Sequence, residues 1–462
     1  MRSYRAIALT ISTSIFMQFN DSTALTTAVP AIARALQVPV LHMDIAILAN
    51  QIALVVFVPA GTVIAGRIGA RNAFTLALFV FMCGSLLCAI SPSLAMLALA
   101  RTIQGAGGAV MLPIGRLIVV RSARKSELIS ALNWLLVPGI LGPMFGPAMS
   151  GFIVQYASWH WIFLINVPIA LIGIAMTLAV VPDIREEKVE AFDRKGALLL
   201  SPFIICMVLG LGGMTGRHPA LVTAGLLLAA LLLGRAYFVH VRTATAPILD
   251  LSLMRIASFR HSMLASTILR MAYGASGFIL PLWFQLAMHK SSSETGILLV
   301  MTSFGALISR VTAGPLLRIA HPRTMAIFGA AGLGLMMLVN SSLQADWPQP
   351  VFLLLLLLQG LAVAGSLLVI APAAYVDLSP EQMTAGTTFY ATVQQLTMSL
   401  GVIVGLWTIT AMRWFTGATP QDNATYSGSM VAIACMTFLA AFIARKLDAD
   451  TLAALRPEAR PA

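Results

Sequence analysis

The sequence predicts an all-α polytopic membrane protein, on three observations. Of its 462 residues, 59% are hydrophobic and only 10% are charged, whereas a soluble domain carries roughly 25% charged residues. The apolar residues gather into stretches of about 20, enough for a helix to cross a bilayer. Fourteen such stretches centre near residues 19, 54, 81, 106, 140, 171, 205, 229, 274, 306, 333, 362, 398 and 436, so two six-helix halves plus two inserted helices are expected. The third observation is where the cations fall. With a cytoplasmic N-terminus, 21 of the 29 Lys and Arg residues lie near cytoplasmic ends and 4 near outside ends, while Arg101, Arg116, Arg270 and Arg310 sit inside or at the edge of spans. That bias is the signature of membrane orientation, and it supports an even span count with both termini cytoplasmic. A bacterial inner (plasma) membrane is the expected location.

The opening MRSYRAIALTISTSIFMQF has the basic start and apolar stretch of a signal peptide, but no small-residue cleavage pattern follows, so it reads as the first span. Residues 1–181 hold six spans with short outside connections such as ISPSL (90–94) and QYASWHW (155–161). Composition then changes. Residues 182–260 contain two charged connectors, PDIREEKVEAFDRKG (182–196) and RAYFVHVRTATAPILDLSLMRIASFR (235–260), around two inserted spans. Six more spans follow in 261–446, and 447–462 form a cytoplasmic tail.

A six, two, six order suggests an internal repeat of the kind found in secondary transporters, whose sites lie near the midplane between repeats. No GxxxxGK[ST] phosphate loop occurs, so energy is expected from an ion gradient or the substrate's own gradient, with no cofactor. The net charge of +12 and pI near 10.1 would suit a nucleic-acid partner. The cations recur loop by loop without a long run, however, and the partner they face is the lipid bilayer. Cys83, Cys88, Cys206 and Cys435 lie in apolar segments without a CxxC spacing and imply neither a disulfide nor a metal.

Asp21, in FMQFNDSTALTTAVP (16–30), is the only one of the 17 acidic residues placed within a span. A charge at that depth costs about 2.5–3.5 kcal/mol on insertion scales, which implies a partner or a use. Two readings stand, a proton-coupling or substrate-contacting acid and a purely structural ion pair. The natural partner is Arg101 in ALARTIQGAGGAVMLP on the fourth span, where Gly105, Gly107 and Gly108 with Ala106 and Ala109 offer a small face for close approach. Arg101 either neutralises Asp21 or serves the cavity, and the two roles are compatible; Gln104 joins it as a cavity or charge-partner candidate.

In the second half, Arg270 lies about ten residues into the ninth span, roughly 15 Å deep, too deep to snorkel easily. It is the candidate contribution of that half to a cavity, whereas Arg116 and Arg310 lie nearer cytoplasmic ends and read as structural. Asn133 and Gln285 either line a cavity or bond across helices. VPGILGPMFGPAMSG (137–151) puts Gly139, Gly142, Gly146 and Gly151 with Pro138, Pro143 and Pro147 in one span, a pattern for a kinked, closely packed helix.

Together these pieces resemble the major facilitator superfamily, and within it the fourteen-span drug/proton antiporter branch, the QacA/EmrB-like transporters. The matching stretches are NDSTALTTAVP in the first span, GRIGARN (66–72), RTIQGAGGA (101–109), GPMFGPAMSG (142–151) and SWHWIFLINVP (158–168). They cover the first half well and the second loosely. The resemblance implies a major facilitator fold, a monomer, proton coupling at Asp21, and a place for Arg101 close to the pathway. It implies an antiporter-motif helix at Gly139, Gly142, Pro143, Gly146, Pro147 and Gly151, and a cytoplasmic gating loop at Arg67, Gly69 and Arg71. The chain departs from the family pattern at Thr62 and Gly66, where Gly and Asp are usual, at Thr26, where Asn is usual, and at Ser150, where Gly is usual. The missing Asp leaves the usual charge-linked latch without one member.

The expected function is proton-coupled export of small amphipathic compounds or drugs by alternating access, with the small molecule and protons as partners. One carboxylate against at least two deep arginines favours neutral, zwitterionic or weakly anionic substrates over cationic dyes. Two alternatives stand beside it. One is export of an endogenous anionic metabolite or siderophore gripped by Arg101 and Arg270; the other is a transport-inactive scaffold or sensor, which Thr62 and Gly66 would permit. The spans contain no nucleophile with an adjacent base and no metal-ligand cluster, which argues against an enzyme.

Overall fold

A computed structural model describes residues 4–58, 60–124, 127–182, 193–216, 219–244, 247–379, 381–449 and 452, and among them every regular element is helical. In chain order the helices are α1 (Tyr4–Ala35), α2 (Asp44–Phe57), α3 (Ala60–Ile68), α4 (Ala70–Ala89), α5 (Leu94–Ser122), α6 (Leu128–Tyr156), α7 (Trp161–Leu164), α8 (Asn166–Val180), α9 (Arg194–Gly213) and α10 (Ala220–Val241). They continue with α11 (Ala257–Leu282), α12 (Ser292–Val311), α13 (Ala313–Ile319), α14 (Pro322–Ser341), α15 (Gln349–Ala373), α16 (Met383–Thr416) and α17 (Asn423–Ala444).

Among the described residues, 12 helices are long and apolar enough to cross a membrane. The remaining two of the fourteen apolar stretches fall on α1 and α6. Helix α1 is 32 residues long, but buried Thr10, Ser12, Ser14, Gln18, Asn20, Asp21 and Thr27 dilute its apolar character. Its polarity is turned inward, where the lipid does not meet it.

The second span is not one helix. The apolar stretch near residue 54 is divided into α2, ending at Phe57, and α3, starting at Ala60, with a proline at 59 that cannot donate to a helix ladder. The expected gating loop is likewise nearly absent. Arg67 and Gly66 lie on α3, Arg71 lies on α4, and only Gly69 stands between the helices. Gly69 has φ +84°, a backbone conformation that suits glycine alone, and its N–H donates to the Ala65 carbonyl at 2.9 Å to close α3.

The chain divides into two compact units, one comprising 1–211, 217–237 and 291–297, the other 212–216, 238–290 and 298–462. In the first unit α1 packs along α6, α5 lies between α4 and α2, and α8 rests on α1 and α4. Its apolar core includes Ile11, Ile15, Phe74, Phe81, Ile114 and Ile118. The start of α12 belongs here and carries a reciprocal cap: Ser291 N–H donates to Glu294 Oε2 at 2.8 Å, and Glu294 N–H to Ser291 Oγ at 3.2 Å.

Helix α6 runs unbroken through its prolines. Residue 138 is proline, so the Trp134 carbonyl has no N–H four residues on; Ser12 Oγ of α1 lies 2.6 Å from that carbonyl and shares its one proton between it and the Ala8 carbonyl, also at 2.6 Å. Glycines then bring the two backbones together. A Cβ on Gly142 would stand 2.9 Å from the Phe16 carbonyl, and one on Gly146 would stand 2.7 Å from the Asn20 carbonyl, so α6 can lie this close to α1 only without side chains there.

The second unit repeats this plan with α11 on α16, and α14 against α15 and α17. Fixed offsets relate the inner helices, 255 residues from α1 to α11 and from α5 to α15 and 259 from α6 to α16: Phe16 and Met271 face Gly142 and Gly401, Asn20 and Ala275 face Gly146 and Gly405, and Gln104 and Gln359 hold equivalent places on α5 and α15. Each glutamine makes a cross-link, Gln104 Nε2 to Ser85 Oγ at 2.6 Å and Asn340 Nδ2 to Gln359 Oε1 at 3.4 Å, and Ser85 and Asn340 also differ by 255. The two units are therefore copies of one scaffold.

Candidate functional site

The first unit buries a charged cluster at its centre. Asp21 (α1) and Arg101 (α5) are each only 2% exposed, and Arg101 Nη1 donates to Asp21 Oδ2 at 2.6 Å. Spacing on α5 adds a third member, because residues three apart share a helix face. Arg101 Nη1 also donates to Gln104 Oε1 at 2.6 Å, and Gln104 Nε2 returns to Asp21 Oδ1 at 3.0 Å.

Two further groups complete the cage. Asn166, the first residue of α8, donates from Nδ2 to Asp21 Oδ1 at 2.8 Å and to Ser85 Oγ of α4 at 3.3 Å. Asn50 Nδ2 of α2 reaches the Arg101 carbonyl at 3.3 Å, and the Arg101 guanidinium stands 5.9 Å from the Phe163 ring centre. Both carboxylate oxygens thus accept bonds, as a buried charge requires. The cage is not saturated, since Arg101 Nε and Asn166 Oδ1 are buried without partners.

Sequence reasoning named Asp21, Arg101 and Gln104, and the structure brings these three together inside the first unit. It missed Ser85, Asn166 and Asn50. Asn166 lay in a quoted stretch, LINVP, where an amide just before a helix-starting proline was the one available signal. Asp21 is enclosed by protein rather than lining an open cavity, and Gln104 is fully buried beside it.

Other predicted residues lie elsewhere. Arg270 and Gln285 belong to the second unit, Arg270 on α11 and Gln285 in a π-helical turn, Trp283–Ala287, that continues it. Helix α11 starts at Ala257, so Arg270 sits about 20 Å along it, deeper than expected. Gly142, Pro143, Gly146, Pro147 and Gly151 share α6, where Gly151 meets the Ser292 backbone of α12. The side chains of Asn133 and Thr62 lie outside the described residues, and Gly139 lies on α6.

The repeat isolates what is special about the cluster. The counterparts of Asp21 and Arg101 are Ser276 and Leu356, both buried. The glutamine cross-link is common to both units, and the ion pair belongs to the first alone.

A multi-pass, all-helical chain built from a repeated scaffold, with a buried ion pair among its spans, has the form of a membrane transporter for small molecules. The sequence profile of the Major Facilitator Superfamily matches residues 11–259 and 262–460. The chain belongs to that superfamily, and it is a transporter, not an enzyme. It is 33% identical over 423 residues to HsrA of Haemophilus influenzae, named a probable transport protein, covering 90% of each chain. It is 31% identical over 450 residues to MdtD of Escherichia coli O7:K1, named a candidate multidrug resistance protein, covering 96% of this chain and 94% of that one. Among solved structures, a D-xylose-proton symporter superposes with a TM-score of 0.68 at 15% identity, covering 97% of this chain and 99% of that one. The peptide-transporter-family protein PepTSo does so with a TM-score of 0.70 at 14% identity, covering 96% and 97%. Identities this low speak to the fold alone.

Proposed function

We propose that this chain is a proton-coupled exporter of small amphipathic compounds, an antiporter of the fourteen-span drug/proton branch that works by alternating access. The observation that carries the proposal is the ion pair itself. The second unit builds the same scaffold with Ser276 and Leu356, so Asp21 and Arg101 are not needed to hold such a scaffold together, and a buried pair of this kind is weak evidence for stability.

In this reading Asp21 takes up a proton when the first unit opens to the outside. Protonation removes the charge that Arg101 Nη1 faces at 2.6 Å, and the guanidinium turns to Gln104. The contacts of α1 with α5 and α8 then weaken while those with α6 remain. Release of the proton inside restores the pair. One charge crossing 100 mV supplies about 2.3 kcal/mol, so about 150 mV sustains a gradient of roughly 300-fold for a neutral substrate exchanged for one proton.

Helices α1 and α6 are taken as the thirteenth and fourteenth spans, with both termini cytoplasmic in a bacterial inner membrane and the protein a monomer. The name of MdtD supports a drug-like substrate, and the cation bias of the loops supports the orientation.

The test is proton release from reconstituted vesicles loaded with a pH-sensitive dye, for the parent and Asp21→Asn, across a chemically varied substrate panel. Substrate-induced release in the parent and its loss in a folded Asp21→Asn is the expected outcome. Release that survives the substitution overturns the assignment of Asp21 and leaves the pair structural.

A further inference from the structure

The second unit holds an arginine, Arg270, that no carboxylate among the described residues neutralises. Arg270 Nε donates to Ser266 Oγ at 3.1 Å, and its guanidinium stands 5.9 Å from the Tyr390 ring centre. Ser266 Oγ and Tyr390 Oη are 2.7 Å apart. Arg270 can only donate, so Ser266 Oγ accepts from it, and the second lone pair of Ser266 leaves either hydroxyl of the Ser266–Tyr390 pair able to donate to the other. Both terminal nitrogens of Arg270 are also without a bonded carboxylate, since Arg101 with Asp21 is the only ion pair among the described residues.

These groups line a tight crevice between α11 and α16, together with Gln394 and Thr397. A half-buried cation in an apolar helical unit is expensive without a counter-anion, and neither α11 nor α16 carries an acidic side chain to supply one. Arg101 is excluded from this role, because Asp21 already occupies it.

We propose that Arg270 and Tyr390 form the binding site for an anionic group of the transported molecule, a carboxylate carried on an apolar body. The guanidinium of Arg270 takes it through its terminal nitrogens, and the Tyr390 hydroxyl is the second group able to donate to it. This assignment rests on the exporter reading, and it narrows the substrate class to organic anions. A lipid phosphate has the same chemistry and is separated by the test.

The experiment is equilibrium binding of radiolabelled 1-naphthoate and its neutral isostere 1-naphthamide to the purified full chain in nanodiscs of neutral lipid. Binding needs no transport, so Asp21→Asn serves as the control that separates failure of coupling from failure of this site. A hydrogen-bonded charge partner corresponds to about 10- to 100-fold in affinity. The expected result is tighter naphthoate binding by that factor, abolished in Arg270→Gln, partly kept in Arg270→Lys, reduced several-fold in Tyr390→Phe and retained in Asp21→Asn. Equal affinity for the two probes, no saturable naphthoate binding, or a preference that persists in a folded Arg270→Gln overturns the proposal. Loss of naphthoate binding when phosphatidylglycerol replaces part of the neutral lipid assigns the site to a headgroup and overturns it as a substrate site.

Discussion

The two units carry the same inner scaffold and opposite electrostatics. In the first, Arg101 is closed against Asp21, Gln104 and Asn166 form the cage, and charge is balanced within the cluster. In the second, the glutamine cross-link survives as Gln359 with Asn340, the acid and its arginine are gone, and Arg270 stands one helical turn from Ser266 with no acid at all. A repeat separates what a scaffold requires from what one copy has added. The packing glycines and the glutamine are common property, while the charges are not.

The largest effect is expected from breaking the pair on one side. Arg101→Leu copies Leu356 into the first unit and leaves Asp21 buried and unpaired, which should cost about 3–5 kcal/mol in detergent unfolding. Asp21→Ser with Arg101→Leu copies both counterparts. This double variant should regain at least the parent's stability and lose proton release; a double variant as unstable as the single one would show that the first unit depends on its pair.

Next comes the glycine seam. Gly146→Ala would press on Thr23 and the Asn20 carbonyl, whereas Gly405→Ala meets the Phe278 side chain and the Ala275 carbonyl at 3.2 and 3.3 Å. Overpacking costs typically about 1–3 kcal/mol, and Gly146 should show it with Gly405 below that range. The comparison is read by thermal unfolding of the two variants side by side, and equal losses would deny that the first seam is the tighter.

The smallest difference concerns Ser12. Ser12→Ala leaves the Trp134 carbonyl unsatisfied and should cost about 1 kcal/mol. Its counterpart Thr267 faces α16 where Thr397, not proline, stands in the place of Pro138, so Thr267→Ala should be nearly neutral in the same unfolding assay.

Hydropathy made the helical class and most span positions legible, because lipid solvation acts on 20 residues at a time and leaves a coarse mark. Finer features left weaker ones. The split at α2 and α3 was written in Pro59, but a proline in an apolar run is also compatible with a bent span. Asp21 and Arg101 stood out through cost alone, since a charge in a span needs compensation. Ser85 and Asn166 did not stand out, because a small hydroxyl or amide in a span usually bonds its own helix. Arg310 read as an arginine near a helix end, and it is exposed in the last turn of α12. The repeat was suggested by span order, while the residue offset became visible only when contacts could be aligned, since Gln104 with Gln359 is one of few identities that survive.

The enclosure of Asp21 has a further consequence for the idle protein. An acid with both oxygens engaged and almost no exposed surface offers no stepping stone for stray hydrons, so a cell that carries many resting copies keeps its electrochemical reserve intact. A channel-like opening at this acid would short that reserve continuously. In the proposed exporter the cage would make the first unit an insulator by default, with conduction an event that must be triggered.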